Sequence, residues 1–349
     1  MNPITFKPLY MERVWGGREL ERVYHRSLPD PVSPFGESWE IVDREGEQSV
    51  VDEGPLAGKT LHELWTSHRE EIFGNGYENH PRFPILIKVL DARDDLSIQV
   101  HPPAHLAAEL GGEPKTEMWY IAACEPGAKL YVGLKQGVTK ADFQKAIDDG
   151  SVEQCVHAIT PQSGDSIFIA SGRLHAIGAG FLIHEIQQNS DTTYRVFDWN
   201  RLGLDGKPRQ LHVEQSMASI DFDDFEPAMD VPADDNLATC EYFKTDRKSL
   251  VSGEMIGNPD PARFFHSVGG RRLLNWRRWT RIRQGAVHPP SPQRSPAPGH
   301  MRLDDSAGNP ALISNNLKSR IKGAAVVQFA FVLSGSSTTI LISCRNPSR

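Results

Sequence analysis

The stretch Leu96-Ser97-Ile98-Gln99-Val100-His101-Pro102, followed by Lys115-Thr116-Glu117-Met118-Trp119-Tyr120, decides the fold. Successive side chains of a β-strand alternate faces, so Gln99 and His101 point one way, and Lys115 and Glu117 do likewise on the next strand. One face can then present an amide oxygen, an imidazole and a carboxylate to a common point. Farther on, Gly164-Asp165-Ser166-Ile167-Phe168-Ile169-Ala170-Ser171-Gly172-Arg173-Leu174-His175 reads as a strand, a tight turn and a second imidazole. Two histidines, a carboxylate and an amide carbonyl suit a divalent metal with room for water or substrate. The competing reading makes each histidine an ordinary packed or surface residue. It weakens because both neighbourhoods occur in one chain.

Working outward, short β-branched or aromatic runs recur between clusters of Gly, Pro, Asn and Asp: Phe83 to Leu90, Leu96 to Val100, Met118 to Ala122, Leu130 to Val132, Ser166 to Ala170 and Phe181 to Ile186. Antiparallel sandwiches and barrels give this spacing. Helical patterns are fewer, at Thr60 to Glu71 and at Thr139 to Gly150, where Phe143, Ala146 and Ile147 share a face. No repeat of fixed period and no Gly-rich phosphate loop is present.

The chain has 349 residues, 39% apolar and 24% charged, which excludes a membrane-spanning, collagen-like or wholly disordered class. Its longest mostly apolar run, Ala324 to Leu333, is about half of what a helix needs to cross a bilayer. The first residues lack the pattern of a secretory signal, and the four scattered cysteines form no CxxC pair, so a reduced, cytoplasmic setting is expected. The net charge of -7 is unevenly spread: residues 1–261 balance to -19 and residues 262–349 to +12. From about Arg271 the chain turns rich in Arg, Pro and Ser. Such a tail can be a nucleic-acid-binding arm, a flexible tail, or the product of a reading frame shifted near residue 270 in a GC-rich gene. The last reading is preferred here, and the acidic body argues against nucleic acid as a partner.

Several pieces in order carry a resemblance. They are Trp15-Gly16-Gly17, Gly36-Glu37-Ser38-Trp39-Glu40-Ile41, Phe83-Pro84-Ile85-Leu86-Ile87-Lys88-Val89-Leu90, the Gln99/His101 strand, Lys115 to Met118, the Gly164-to-His175 turn, and Glu185 followed by Arg195. The turn looks like the second cupin motif, and the set resembles type I mannose-6-phosphate isomerase (phosphomannose isomerase) of the short bacterial kind over roughly residues 5–260. The resemblance implies a mainly β fold: a cupin, or jelly-roll, sandwich over residues 1–230, then the start of a small, incomplete C-terminal β-domain over 231–270. Residues 271–349 are the atypical basic tail.

The resemblance also implies one Zn²⁺ per chain on Gln99, His101, Glu117 and His175. Its catalytic positions fall on Lys115, Glu185 and Arg195, and its substrate-binding positions on Trp15, Lys88, Ser97 and Arg201. The reaction implied interconverts mannose 6-phosphate and fructose 6-phosphate through a cis-enediol(ate). Glu185 is the implied base, against the alternative of a plain ion pair with an arginine. Arg195 stabilises the enediolate, or simply pairs with Asp191 or Asp198. Trp15 packs on the sugar or belongs to the core. Two features depart from larger members of the family, Arg201 in place of Lys and Ile177 in place of an aromatic. The alternatives are a non-catalytic, sugar-phosphate-sensing cupin and another cupin metalloenzyme, an epimerase or dioxygenase. The partner expected is a small sugar phosphate, with neither nucleic acid nor membrane, and the chain is a monomer or weak homodimer. His105, His157, His184 and His212 match no site position, and His184 faces away from the metal.

Overall fold

The computed structural model describes residues 4–74, 77–249, 255–256, 265–268, 280–281, 328–332 and 338–344. Two antiparallel sheets stack over residues 9–197. The larger has six strands in the order Ser166–Ile169, Glu117–Cys124, Phe181–Gln188, Ile85–Ala92, Leu9–Gly17 and Phe35–Ile41. The smaller has five, in the order Tyr194–Phe197, Ile98–Val100, His175–Ile177, Leu130–Leu134 and Val156–Ile159. Between them lies an apolar cluster drawn from both sheets, with Leu90, Trp119, Ile121 and Ile183 meeting Leu130, Val132 and Ile177. Sandwich cores form in this way, by interdigitation of the two inner faces. The mainly β, jelly-roll class expected from the sequence is the fold observed.

Every residue of Ile85–Ala92 is buried, because the larger sheet is covered on both faces. That explains why this strand reads as a mostly apolar run, interrupted only by Lys88 and Asp91. The outer face packs Ile85, Ile87, Met118 and Ile186 against Leu61, Leu64, Trp65 and Tyr77. The smaller sheet's outer face is covered by the helix Lys140–Asp149, which buries Phe143 and Ala146. Thr139 caps that helix and Gly150, at φ +74°, closes it in the left-handed region open to glycine.

The helix expected over Thr60 to Glu71 is two helices, Leu61–Ser67 and Arg69–Phe73. Thr60 and Glu63 form a capping box at the start. The break comes at His68, whose φ of -131° leaves the helical region. Arg69 then reaches back to the Trp65 carbonyl (2.9 Å) and across to that of Tyr77 (2.8 Å).

A further sheet follows, in the order Asn236–Thr239, Phe243–Ser249, Thr338–Cys344, Gln328–Val332 and Phe265–Val268. Thr338–Cys344 pairs residue for residue with Phe243–Ser249, and its Ile340, Ile342 and Cys344 enter the same cluster as Trp65 and Tyr77. Most of the basic tail expected over 271–349 lies outside the described residues. Among the described residues, no helix is long and apolar enough to cross a membrane.

Candidate metal centre and substrate pocket

Strand register brings the metal candidates together. His175 lies directly opposite Gln99 in the smaller sheet, and His101 follows Gln99 by two residues. Glu117 opens a strand of the facing sheet, so the site spans the sandwich. Gly172, at φ +92°, donates its backbone N–H to the His101 carbonyl (2.9 Å) and ties the turn before His175 to the end of the other histidine's strand.

His101, Glu117 and His175 are fully buried, and their donor atoms lie within 4.8 Å of one another. His101 Nε2 is 3.5 Å from Glu117 Oε2, and His175 Nε2 is 3.7 Å from Glu117 Oε1. Each imidazole donates its Nδ1 proton to a carbonyl, His101 to Thr192 (2.9 Å) and His175 to Arg173 (2.9 Å). The lone pairs on both Nε2 atoms therefore face the carboxylate, as in metal sites oriented by outer partners. Burial and the Lys115 charge push His101 down to about 3, and burial lowers His175 as well, so both rings are neutral at pH 7. Burial would raise the Glu117 carboxyl, but Lys115, 2.8 Å away, overrides it and holds the group well below the carboxylate range.

His101 Nε2 and Glu117 Oε1 are buried without a hydrogen-bond partner among the described residues. Unsatisfied buried acceptors are costly, and a divalent cation would satisfy these together. The Gln99 amide stands 3.3 Å from His175 Nε2, and a half-turn about its last bond exchanges nitrogen for oxygen there. The donor set fits a metal.

A cavity of about 290 Å³ opens over Gln99 and Lys115. Trp15, Lys88, Ser97, Lys115, Glu185 and Arg195 all line it, so six of the seven catalytic and substrate-binding residues expected from the sequence converge. The seventh, Arg201, is not on the wall; it pairs with Asp198 (3.0 Å) and approaches Asp94 (3.8 Å). Glu185 accepts a hydrogen bond from the Trp119 indole (3.0 Å), with the Lys88 and Lys115 ammonium groups at 3.6 and 3.7 Å. Burial and the Glu117 charge raise its carboxyl despite those two cations.

The sequence reading missed Arg13, Thr193 and Arg209 on the wall; it named Asp191 only as an alternative partner of Arg195 and quoted Glu37 only as part of a motif. Glu37 bonds Arg13 (2.9 Å) and the Trp39 indole (2.6 Å). Burial opposes its ionisation, yet Lys88 and Arg13 hold its carboxyl at about 2. A glutamate two residues before a tryptophan was the available signal. Arg209 lies on a loop and gave none. His184 is buried on the outer side of the sheet beside Tyr24 (2.7 Å), facing away from the metal residues as expected.

The model of the phosphomannose isomerase type I catalytic domain matches residues 4–123. The chain is 41% identical over 221 residues to "Probable mannose-6-phosphate isomerase GmuF" of Bacillus subtilis strain 168, covering 63% of this chain and 68% of that protein. It is 36% identical over 271 residues to mannose-6-phosphate isomerase ManA of the same strain, covering 74% and 83%. Among solved structures, the mannose 6-phosphate isomerase of Bacillus subtilis matches with a TM-score of 0.66 at 35% identity, covering 73% and 83%. With its buried His-Glu-His cluster and its cation-lined cavity, the chain belongs to the type I phosphomannose isomerase family.

Proposed function

We propose that this chain is a zinc-dependent aldose-ketose isomerase that interconverts mannose 6-phosphate and fructose 6-phosphate. One observation carries the reading: a buried carboxylate with raised proton affinity, Glu185, shares a cavity with a set of arginines and with Gln99 and Lys115, which contact His175 and Glu117 of the His-Glu-His cluster.

The reaction moves one proton from C2 to C1 and another from the C2 hydroxyl to O1, through a cis-enediol(ate). Gln99, His101, Glu117 and His175 would hold Zn²⁺, which supplies Lewis-acid polarisation near O1 and O2. Glu185 takes the carbon-bound proton and returns it to the neighbouring carbon. Burial serves this role, since a carboxylate destabilised in its charged form is a stronger base. The Trp119 indole and the Lys88 and Lys115 ammonium groups hold its two oxygens in place. Lys115 also places positive charge beside the oxygens on which charge develops. Trp15 and Ser97 offer a face and a hydroxyl to the sugar phosphate, and Arg195 contributes charge, while Arg201 pairs with Asp198 off the wall. We place the protein in the cytoplasm, as a monomer or weak homodimer with no nucleic-acid partner.

The test is conversion of mannose 6-phosphate by purified protein as prepared, after a chelator, and after zinc is restored. Activity lost and then recovered is the expected result. Soluble, zinc-loaded protein without turnover would sink the isomerase reading and favour a sugar-phosphate sensor.

A further inference from the structure

The loop after Tyr194–Phe197 is built to return a second arginine to the cavity. Trp199 and Asn200 both adopt positive φ, +56° and +53°, a region that costs a tryptophan energy and turns the chain sharply. Leu202 then bridges to Pro208, and Gly203 donates to the Lys207 carbonyl (2.7 Å), closing a hairpin. The chain comes back beside its own start: His212 N–H donates to the Arg195 carbonyl (2.7 Å), and Arg195 N–H to His212 Nδ1 (3.3 Å). Arg209 thereby reaches the cavity wall next to Arg195.

One buried carboxylate organises this corner. Asp198, 6% exposed, accepts from Arg209 Nε (2.7 Å) and Nη2 (2.5 Å), a bidentate grip. It also accepts from Arg201 Nε (3.2 Å) and Nη2 (3.0 Å). Arg201 stays off the wall and Arg209 is on it. Arg209 Nη1 makes no hydrogen bond among the described residues, and Arg195 Nε is buried without a partner there. Lys88, Lys115 and Arg13 are already shared among Glu37, Glu117, Glu185 and Asp191. Arg195 and Arg209 thus each keep a guanidinium nitrogen without a partner at the wall, and burial and the Arg209 charge both disfavour charged Arg195. Like charges held together in a partly buried wall fit a dianion between them.

We propose that Arg209, positioned by Asp198, grips the substrate's phosphate dianion together with Arg195, and that Arg201 is the outer brace of Asp198 and not the phosphate contact. This rests on the sugar-phosphate reading above. It makes Arg209 a specificity-determining residue and Asp198 a positioning residue.

The test compares the zinc-loaded full chain with Arg209→Gln, Arg209→Lys, Asp198→Asn and Lys207→Gln. Lys207→Gln removes a charge from the same loop at an exposed position off the cavity. Two quantities are read, KM for mannose 6-phosphate and the constant for inhibition by inorganic phosphate, with kcat and zinc content measured alongside. Arg209→Gln is expected to raise both constants together by roughly 10- to 100-fold, the scale of a charge-assisted hydrogen bond, with a smaller change in kcat. Arg209→Lys keeps the charge without the fork and falls between, as does Asp198→Asn, while Lys207→Gln matches the parent. An Arg209→Gln enzyme within twofold of the parent on both constants overturns the proposal and leaves the isomerase reading intact. If the parent shows no turnover, direct titration of inorganic phosphate into parent and Arg209→Gln protein still decides. Equal binding, or none to the parent, counts against Arg209.

Discussion

Lys88 Nζ lies 3.6 Å from Glu185 Oε1, and the two residues are direct partners across antiparallel strands. Trp119 is the partner of Glu185 on its other side, with its indole bonded to the second oxygen. Both contacts follow from register alone, since side chains opposite one another in a sheet stand about 5 Å apart. The carboxylate is thus fixed by two neighbouring strands before any substrate arrives.

This fixing makes Glu185→Gln a clean variant. The amide keeps the shape and an oxygen for the Trp119 indole, but it cannot accept a proton from carbon. The expected outcome is a fall in kcat of roughly 10²- to 10⁴-fold, with zinc stoichiometry and melting temperature close to the parent's. Loss of zinc in the same variant would instead give Glu185 a role in holding the metal site together.

The legible part of the fold was what period-2 alternation and turn residues can encode. Ile85–Ala92, Glu117–Cys124 and Phe181–Gln188 were visible because burial on both faces leaves an apolar signature. The candidate metal residues were visible because Gln99 and His101 share a strand face, and Gly172 marks the turn before His175. Arg209 was not legible. Its place on the wall depends on a sharp turn at Trp199 and Asn200 that comes before the 202–208 hairpin, and neither residue announces a left-handed conformation as glycine does. Arg201 came with the family resemblance, which gives a position along the chain but does not tell which of two arginines on one aspartate lines the cavity. The break at His68 was hidden for a similar reason, because it depends on where Arg69 finds its carbonyls.

A second prediction concerns acid stability. His184 is buried behind the sheet, and burial followed by the Arg26 charge pushes it down to about 3. The unfolded chain takes up a proton on this histidine as pH falls through about 6.5, while the folded chain refuses it until about 3. Folding stability is therefore lost as pH falls across that window, by up to about 1.4 kcal/mol per pH unit from this one group. His184→Gln keeps a partner for the Tyr24 hydroxyl and removes the titration. Urea unfolding of the zinc-loaded proteins between pH 7 and 4.5 should show the parent losing stability faster than the variant, with a gap that narrows as pH falls. Glu37 contributes the same acid loss to both proteins, mainly below pH 4.5, so the comparison isolates the histidine. Parallel curves would show that His184 takes up its proton in the folded state.

The last prediction links the end of the chain to the catalytic body. Ile340, Ile342 and Cys344 are fully buried at alternate positions of the final described strand, in one cluster with Trp65, Tyr77, Phe83 and Ile87. The Tyr77 hydroxyl donates to the Cys344 carbonyl (3.1 Å), bridging the two parts through a polar contact as well. Ile87 and Lys88 are adjacent on one strand and point to opposite faces, so the cluster sealed by the C-terminal strand lies directly behind the cavity. Ile342→Ala in the full chain should therefore destabilise the whole protein by about 2–5 kcal/mol, the usual cost of emptying a packed isoleucine site. The protein that remains folded should keep its specific activity, because every proposed catalytic, substrate-binding and metal residue precedes residue 210. Soluble yield should fall as well, since an unsealed cluster leaves apolar surface open to association. The measurements are a urea midpoint and specific activity per folded molecule. An unchanged midpoint would mean that the final strand is dispensable to the core and that the catalytic sandwich stands without it.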